Sequence, residues 1–369
     1  MISTALPSYR MPTTAVVARG GLGRIGELLG PSSSRVLLVT GKHSARAHGY
    51  RDRARQALLD GGKEVFVFDD VEQNPAFETV DRGAALAQKH GITAVVGLGG
   101  GSALDAAKAI AVCAAVGMPV QSVLGSTPPP PGCLFLLAIP TTAGTGSEAT
   151  PYALLTDTKH MDKLNLATRD SFPDAALLDA ELTLSQPAWL TRNAGFDALS
   201  HAVEGYLNLR AQPLTDALAE LAIRMVAEAL PRVIATPGDL EARERMLIAA
   251  HVAGHVIAHT GTTACHAMSY YLTLHHRVHH GLACAMLLGA TVAWTRRFMP
   301  AKVGRIEECL GASIDDFAAQ CGIATDVAAQ GVAPDELERM AASAAPRSSV
   351  AATPGKPTKE QLLEILRTR

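Results

Sequence analysis

The 369-residue chain contains no uninterrupted apolar stretch approaching about 18 residues, so no segment reads as a membrane-spanning helix. Its opening, MISTALPSYRMPTTAVVARGG, lacks a basic region followed by an apolar run; no secretory leader is expected and the protein is placed in the cytoplasm. The six cysteines, Cys113, Cys133, Cys265, Cys284, Cys309 and Cys321, include no CxxC pair. Several sit in apolar helical contexts, where free cysteine packs as a small hydrophobe, and they are read as reduced thiols. Neither sign of charge is in excess, the formal net charge being -2. Nucleic acid and anionic membrane both reward a concentrated surplus of Lys and Arg, so neither is expected as a partner. A small ligand fits better.

What is present is a globular balance, 48% hydrophobic and 18% charged residues, on a chain longer than one core usually serves. Short apolar runs at 35–40, 64–68, 94–98 and 134–139 read as strands, with helical stretches at 51–59 and 77–90 between them. That alternation predicts a parallel sheet with helices on its faces and ligands at the carboxyl ends of its strands. After about Asp179 the strand signal stops, and 188–230 and 241–259 carry long helical patterns. The expected fold is therefore an α/β dinucleotide-binding domain with a parallel sheet, residues 1–182, followed by an all-α domain, residues 183–369, with a cleft between. Residues 343–359, rich in Ser, Pro and Ala, read as a surface connection before a last short helix at 358–366.

Two glycine segments compete as a phosphate cradle. GLGRIG, with Gly21, Gly23 and Gly26, matches GxGxxG, but the acidic residue that should follow about 20 positions later for the ribose is missing: Thr40, Gly41 and Lys42 stand there. It is read as a chain turn. Gly97 to Lys108, GLGGGSALDAAK, leaves an apolar strand and enters an alanine-rich helix. Gly99, Gly100 and Gly101 let the backbone approach an anion, Ser102 is placed to cap the helix, and the helix N-terminus offers free N–H groups. A third loop, Thr141 to Glu148, carries five hydroxyl or carboxylate side chains after another buried strand, which suits ribose and phosphate oxygens.

Asp197 and His201 stand at i and i+4 and share a helix face, so both reach one ion, although a solvated pair has the same spacing. His266 and His280 lie 14 residues apart with His275, His276 and His279 between. A rival set, His251, His255 and His259, also shares a face but has no carboxylate in the sequence beside it. Helical spacing alone does not choose between them.

GGGSALDAAK at 99–108, IPTTAGTGSE at 139–148, GFDALSHAVEGY at 195–206 and HAMSYYLTLHHRVHHG at 266–281 together resemble the iron-containing, or group III, alcohol dehydrogenases. The resemblance runs through almost the whole chain. It implies Asp197, His201, His266 and His280 as ligands of a divalent ion, Fe²⁺ before Zn²⁺, and Gly99 to Ser102 as the pyrophosphate loop with Asp105 supporting its helix. It also implies Thr141, Thr142 and Ser147 along the cofactor, Asn74 near its ribose and Lys163 near the nicotinamide. GLGRIG would be the family's first hairpin. The expected reaction is hydride transfer between NAD or NADP and a small aldehyde or primary alcohol, with the metal as Lewis acid. A homodimer is expected.

Two positions depart from the family's pattern. Many NAD-preferring members carry an aspartate where Gly41 and then Lys42 stand, which weakens strict NAD use and opens the site to NADP. Tyr270 replaces a second histidine near the nicotinamide and puts proton relay there in doubt; His275, His276 and His279 are alternative exchange sites. The segments 36–44 and 69–75 resemble the branch that reduces phosphonoacetaldehyde and similar short aldehydes. A dehydroquinate synthase-like cyclase and a non-catalytic nucleotide-binding protein are the competing readings.

Overall fold

Buried parallel strands need apolar residues on both faces, and the runs around Leu37, Val95 and Leu137 supply them. A computed structural model describes residues 9–30 and 32–369; residues 1–8, part of the stretch read as lacking a leader, lie outside it. The strands are β1 (Thr14–Val17), β2 (Arg35–Gly41), β3 (Glu64–Val71), β4 (Ala94–Gly99), β5 (Phe135–Pro140), β6 (Tyr152–Asp157), β7 (Asp162–Ala167) and β8 (Ala175–Leu178). Six form one parallel sheet in the order β1-β8-β5-β4-β2-β3. Along β2 the strand period of two sends Leu37 and Val39 into one core and Val36 and Leu38 into another. The helices α1 (Tyr50–Asp60), α2 (Phe77–Lys89) and α3 (Gly101–Val116) connect these strands.

Strand order reverses at β2, whose neighbours are β3 and β4. A crevice opens at such a point beyond the carboxyl ends of the strands. Gly41 ends β2 and Gly99 ends β4, so the glycine loop that follows β4 stands at the crevice.

The helical half comprises α4 (Ala188–Leu207), α5 (Pro213–Ala235), α6 (Leu240–Thr260), α7 (Ala264–His275) and α8 (His280–Arg296), then shorter helices ending with Lys359–Leu366. One large apolar cluster draws on all five. Among the described residues, no helix is long and apolar enough to cross a membrane, and all six cysteines are free.

Several expectations need correction. Strands β1 and β8, four residues each, are too short to leave a periodic signal, and the antiparallel β6–β7 pair went unread. The 188–230 stretch is two helices, with Pro213 at the first turn of the second, where its missing N–H is harmless. GLGRIG forms a 3₁₀ helix, Gly21–Leu28, and not a hairpin, because β1 pairs in parallel with β8 instead of folding back on a neighbour. Residues 343–359 are more than a surface connection: they include the turn Ser348–Ala351 and the fully buried Thr353.

Candidate metal centre and cofactor cleft

Asp197, His201 and Glu204 stand at i, i+4 and i+7 on α4 and all are buried, so one face of this helix carries a polar row into the interior. His266 comes from the first turn of α7 and His280 begins α8. Asp197 Oδ1 lies 3.9 Å from His201 Nε2, 3.8 Å from His266 Nε2 and 3.7 Å from His280 Nε2, and has no hydrogen-bond partner. A buried carboxylate oxygen is costly without a counter-charge. Three imidazole nitrogens converging on it from beyond hydrogen-bond length are the donor set a divalent ion needs.

The surroundings hold these donors in place. Glu204 accepts a hydrogen bond from His266 Nδ1 and, through its other oxygen, from the Thr263 amide at 2.8 Å and hydroxyl at 2.6 Å. With Nδ1–H committed to Glu204, His266 turns its Nε2 lone pair toward Asp197. Gly281 lets α8 come close enough to deliver His280: a Cβ there would lie 1.9 Å from the Asn193 carbonyl oxygen on α4.

The same cleft, about 1050 Å³, reaches the strand ends. Gly41, Lys42, Asn74, Gly99, Gly100, Gly101, Ser102, Asp105, Thr141, Thr142, Ser147 and Lys163 all line it together with Asp197, His201, His266 and His280. Helix α3 starts at Gly101, so its first N–H groups point out of the helix toward the cleft. The cap expected at Ser102 is not there. Gly100 occupies the N-cap, and Ser102 Oγ instead accepts from Asn74 N at 3.1 Å. Asp105 accepts from Ser147 Oγ at 2.5 Å and from Leu154 N at 3.0 Å, which fastens α3 to the 141–148 loop and to β6. Lys163 Nζ, on β7, donates to Asn74 Oδ1 at 2.9 Å. Burial pulls its ammonium down to about 8, against the raising pull of Asp105.

Comparison with known proteins assigns the chain. The family model described as iron-containing alcohol dehydrogenase matches residues 12–180, and that for the C-terminal part of the same family matches 191–369. The chain belongs to the iron-containing alcohol dehydrogenase family. It is 28% identical to the NAD-dependent methanol dehydrogenase of Bacillus methanolicus, over 98% of this chain and 99% of the relative. An iron-containing alcohol dehydrogenase structure from Thermotoga maritima is 37% identical with TM-score 0.90, covering 98% and 99% of the two chains. A sulfoacetaldehyde reductase from Bifidobacterium kashiwanohense, in complex with NAD⁺, is 28% identical with TM-score 0.87, covering 98% of each. The enzyme is thus a metal-dependent oxidoreductase that transfers a hydride between NAD(P)H and a small aldehyde or alcohol, as the resemblance implied. The cyclase and non-catalytic readings gain no support.

Other expected residues lie elsewhere. The N–H groups of Gly20 and Leu22 are taken by Asp179 at 3.1 Å each, so the GLGRIG turn is tied to the end of β8 and does not line the cleft. In the rival triad His255 Nε2 is 3.2 Å from His251 Nε2, and His259 is turned to the His255 carbonyl and the Arg10 amide. Its carboxylate, invisible in the local sequence, is Glu148, 3.2 Å from His251 Nδ1. Burial brings His255 down to about 3, so it packs as a neutral ring. Of the three exchange histidines only His279 lines the cleft; His275 lies against Tyr271 and His276 against Glu336.

Sequence reasoning missed Glu204, Cys284, Arg210 and Arg347, of which the two arginines line the cleft. Glu204 had a signal, its i+7 position on the Asp197 face. Arg347 had none, because it reaches the cleft from beyond Glu336–Ala344, where its guanidinium lies 4.9 Å from the Tyr270 ring centre.

Proposed function

We propose that Asp197, His201, His266 and His280 hold the catalytic ion and that the strand-end loops hold the coenzyme. The observation that carries this is the unpartnered, buried Asp197 oxygen facing three imidazoles in the same cleft as the Gly99–Ser102 loop. A bound divalent ion supplies Lewis acidity to the alcohol or aldehyde oxygen, lowering the alcohol's pKa at neutral pH. Gly99 to Ser102 receive the pyrophosphate on free N–H groups at the start of α3. Asp105 fixes the start of α3 against the Thr141, Thr142 and Ser147 loop, which runs along the coenzyme. Asn74, held by Lys163, faces the ribose, and Lys163 stands toward the nicotinamide. Glu204 orients His266.

Gly41 places no carboxylate against a 2′-phosphate, and Lys42, half-exposed and paired with Asp70 at 3.2 Å, is a cation that a 2′-phosphate would draw from that pair, which supports use of NADP. The substrate class we favour is a short aldehyde with an anionic group, of the phosphonoacetaldehyde kind. Arg347 and Lys163 both lie over Tyr270, 4.9 and 5.9 Å from its ring centre, and Arg347 Nε has no partner. Residues 1–182 and 183–369 act as the coenzyme and metal domains, and the enzyme works as a cytoplasmic homodimer. Metal analysis of purified protein, with an aldehyde and alcohol panel run on NADH and NADPH, tests the reading. Full activity in verified metal-free enzyme would end the metal assignment, and NADPH at least roughly tenfold poorer than NADH would end the NADP assignment.

A further inference from the structure

Cys284 is the donor at this centre that the proposed ligand set leaves unused. It follows His280 by one turn of α8, so both side chains leave the same face. Its Sγ lies 3.7 Å from His266 Nε2 and 3.9 Å from His280 Nε2. One ligand atom each from Asp197, His266, His280 and Cys284 lies within 4.8 Å of the other three. Bonds of about 2.0 Å to N or O and about 2.3 Å to S put neighbouring donors roughly 2.8–3.6 Å apart, the lower end for the 90° angles of a five-donor shell and the upper end for tetrahedral angles. The separations of 3.8 and 3.7 Å from Asp197 to His266 and His280, like those from the sulfur, exceed the upper end by only a few tenths of an ångström. The four donors therefore stand close to the spacing that one ion requires. Cys284 is fully buried in the apolar cluster of the helical half, as a packing cysteine would be, but its sulfur also faces two imidazole nitrogens.

We propose that Cys284 is a thiolate ligand of the same ion, beside Asp197, His201, His266 and His280. The inference rests on the metal reading above. On loading, the thiol proton passes to solvent and an S–metal bond forms, with no change of oxidation state. Thiolate and carboxylate together neutralise a divalent ion, and the soft sulfur turns the site toward Zn²⁺, Fe²⁺ or Co²⁺ and away from Mg²⁺ or Mn²⁺.

Full-length protein stripped of metal and reloaded with Co²⁺ should show visible ligand-field bands and a near-ultraviolet sulfur-to-cobalt charge-transfer band. Cys284→Ser should lose the charge-transfer band and keep the ligand-field bands, and Cys265→Ser should keep both. X-ray absorption on the Zn²⁺-loaded wild type needs no variant: a sulfur shell at about 2.3 Å beside nitrogen and oxygen at about 2.0–2.1 Å is expected. Ligand-field bands without charge transfer, or a shell of nitrogen and oxygen alone, overturn the thiolate while leaving the metal reading standing. A charge-transfer band lost in Cys265→Ser and kept in Cys284→Ser overturns the assignment to Cys284. Protein that binds neither ion overturns the metal reading and the thiolate with it.

Discussion

At the helical side of the cleft, buried side chains from α4 and α7 and the half-buried His280 of α8 converge on Asp197; at the strand side, Gly99, Gly100 and Gly101 offer backbone amides and no side chains at all. The first arrangement depends on which atoms the side chains end in and on the packing that aims them. The second depends on how closely the chain can approach a ligand. Hence substitution of an end group should damage the helical side most, and addition of a single methyl group should suffice at the strand side.

The largest effect is expected for Asp197→Ala. It should lose bound metal and at least about a thousandfold in turnover, the several kcal/mol a Lewis acid contributes, while coenzyme affinity measured by NADPH fluorescence stays within a few-fold. Equal loss of both would mean that the two sides are not separable. Glu204→Gln comes next: the fold is kept but His266 loses its charged anchor, and metal affinity in a chelator competition should fall about 10–100-fold. At the strand side, a Cβ on Gly101 would lie 2.7 Å from Thr145 Cγ2. Gly101→Ala should therefore weaken coenzyme binding about tenfold, some 1.4 kcal/mol, with metal content unchanged. Metal loss in this variant would break the comparison.

The smallest effect is the pH response of Lys163. Its folded value, about 8, lies below the ordinary 10.5, so the ammonium is present below about 8 and is lost as pH rises through it. KM for an anionic aldehyde should rise several-fold across that window while KM for a neutral aldehyde of the same length stays level. Parallel profiles would remove Lys163 from anion recognition.

Legibility in the sequence followed the same division. The glycine loop after β4 and the Asp197–His201 pair were readable because each is local: one is a strand-to-helix junction, the other a single helix turn. His266 and His280 came from resemblance to a family, since spacing did not separate them from six other histidines on α6 and around α8. Glu148 joins His251 across 103 residues and Arg347 meets Asp162 across 185, and no period of 2 or 3.6 carries such contacts. The short strands β1 and β8 failed for a related reason, because four residues hold too little of a pattern and their pairing partner lies far along the chain.

By itself the sequence determined the alternating α/β half, the helical half, the amide-rich turn and one helix face that carries Asp197 and His201 together, all consequences of hydrophobic period and backbone stereochemistry over a few residues. Tertiary structure alone decided which imidazoles meet that face, that Glu204 orients one of them, that Gly281 admits α8 and that Cys284 and Arg347 stand in the neighbourhood. Those outcomes depend on helices packing within a single atom's width of one another, a long-range fit that no local pattern records.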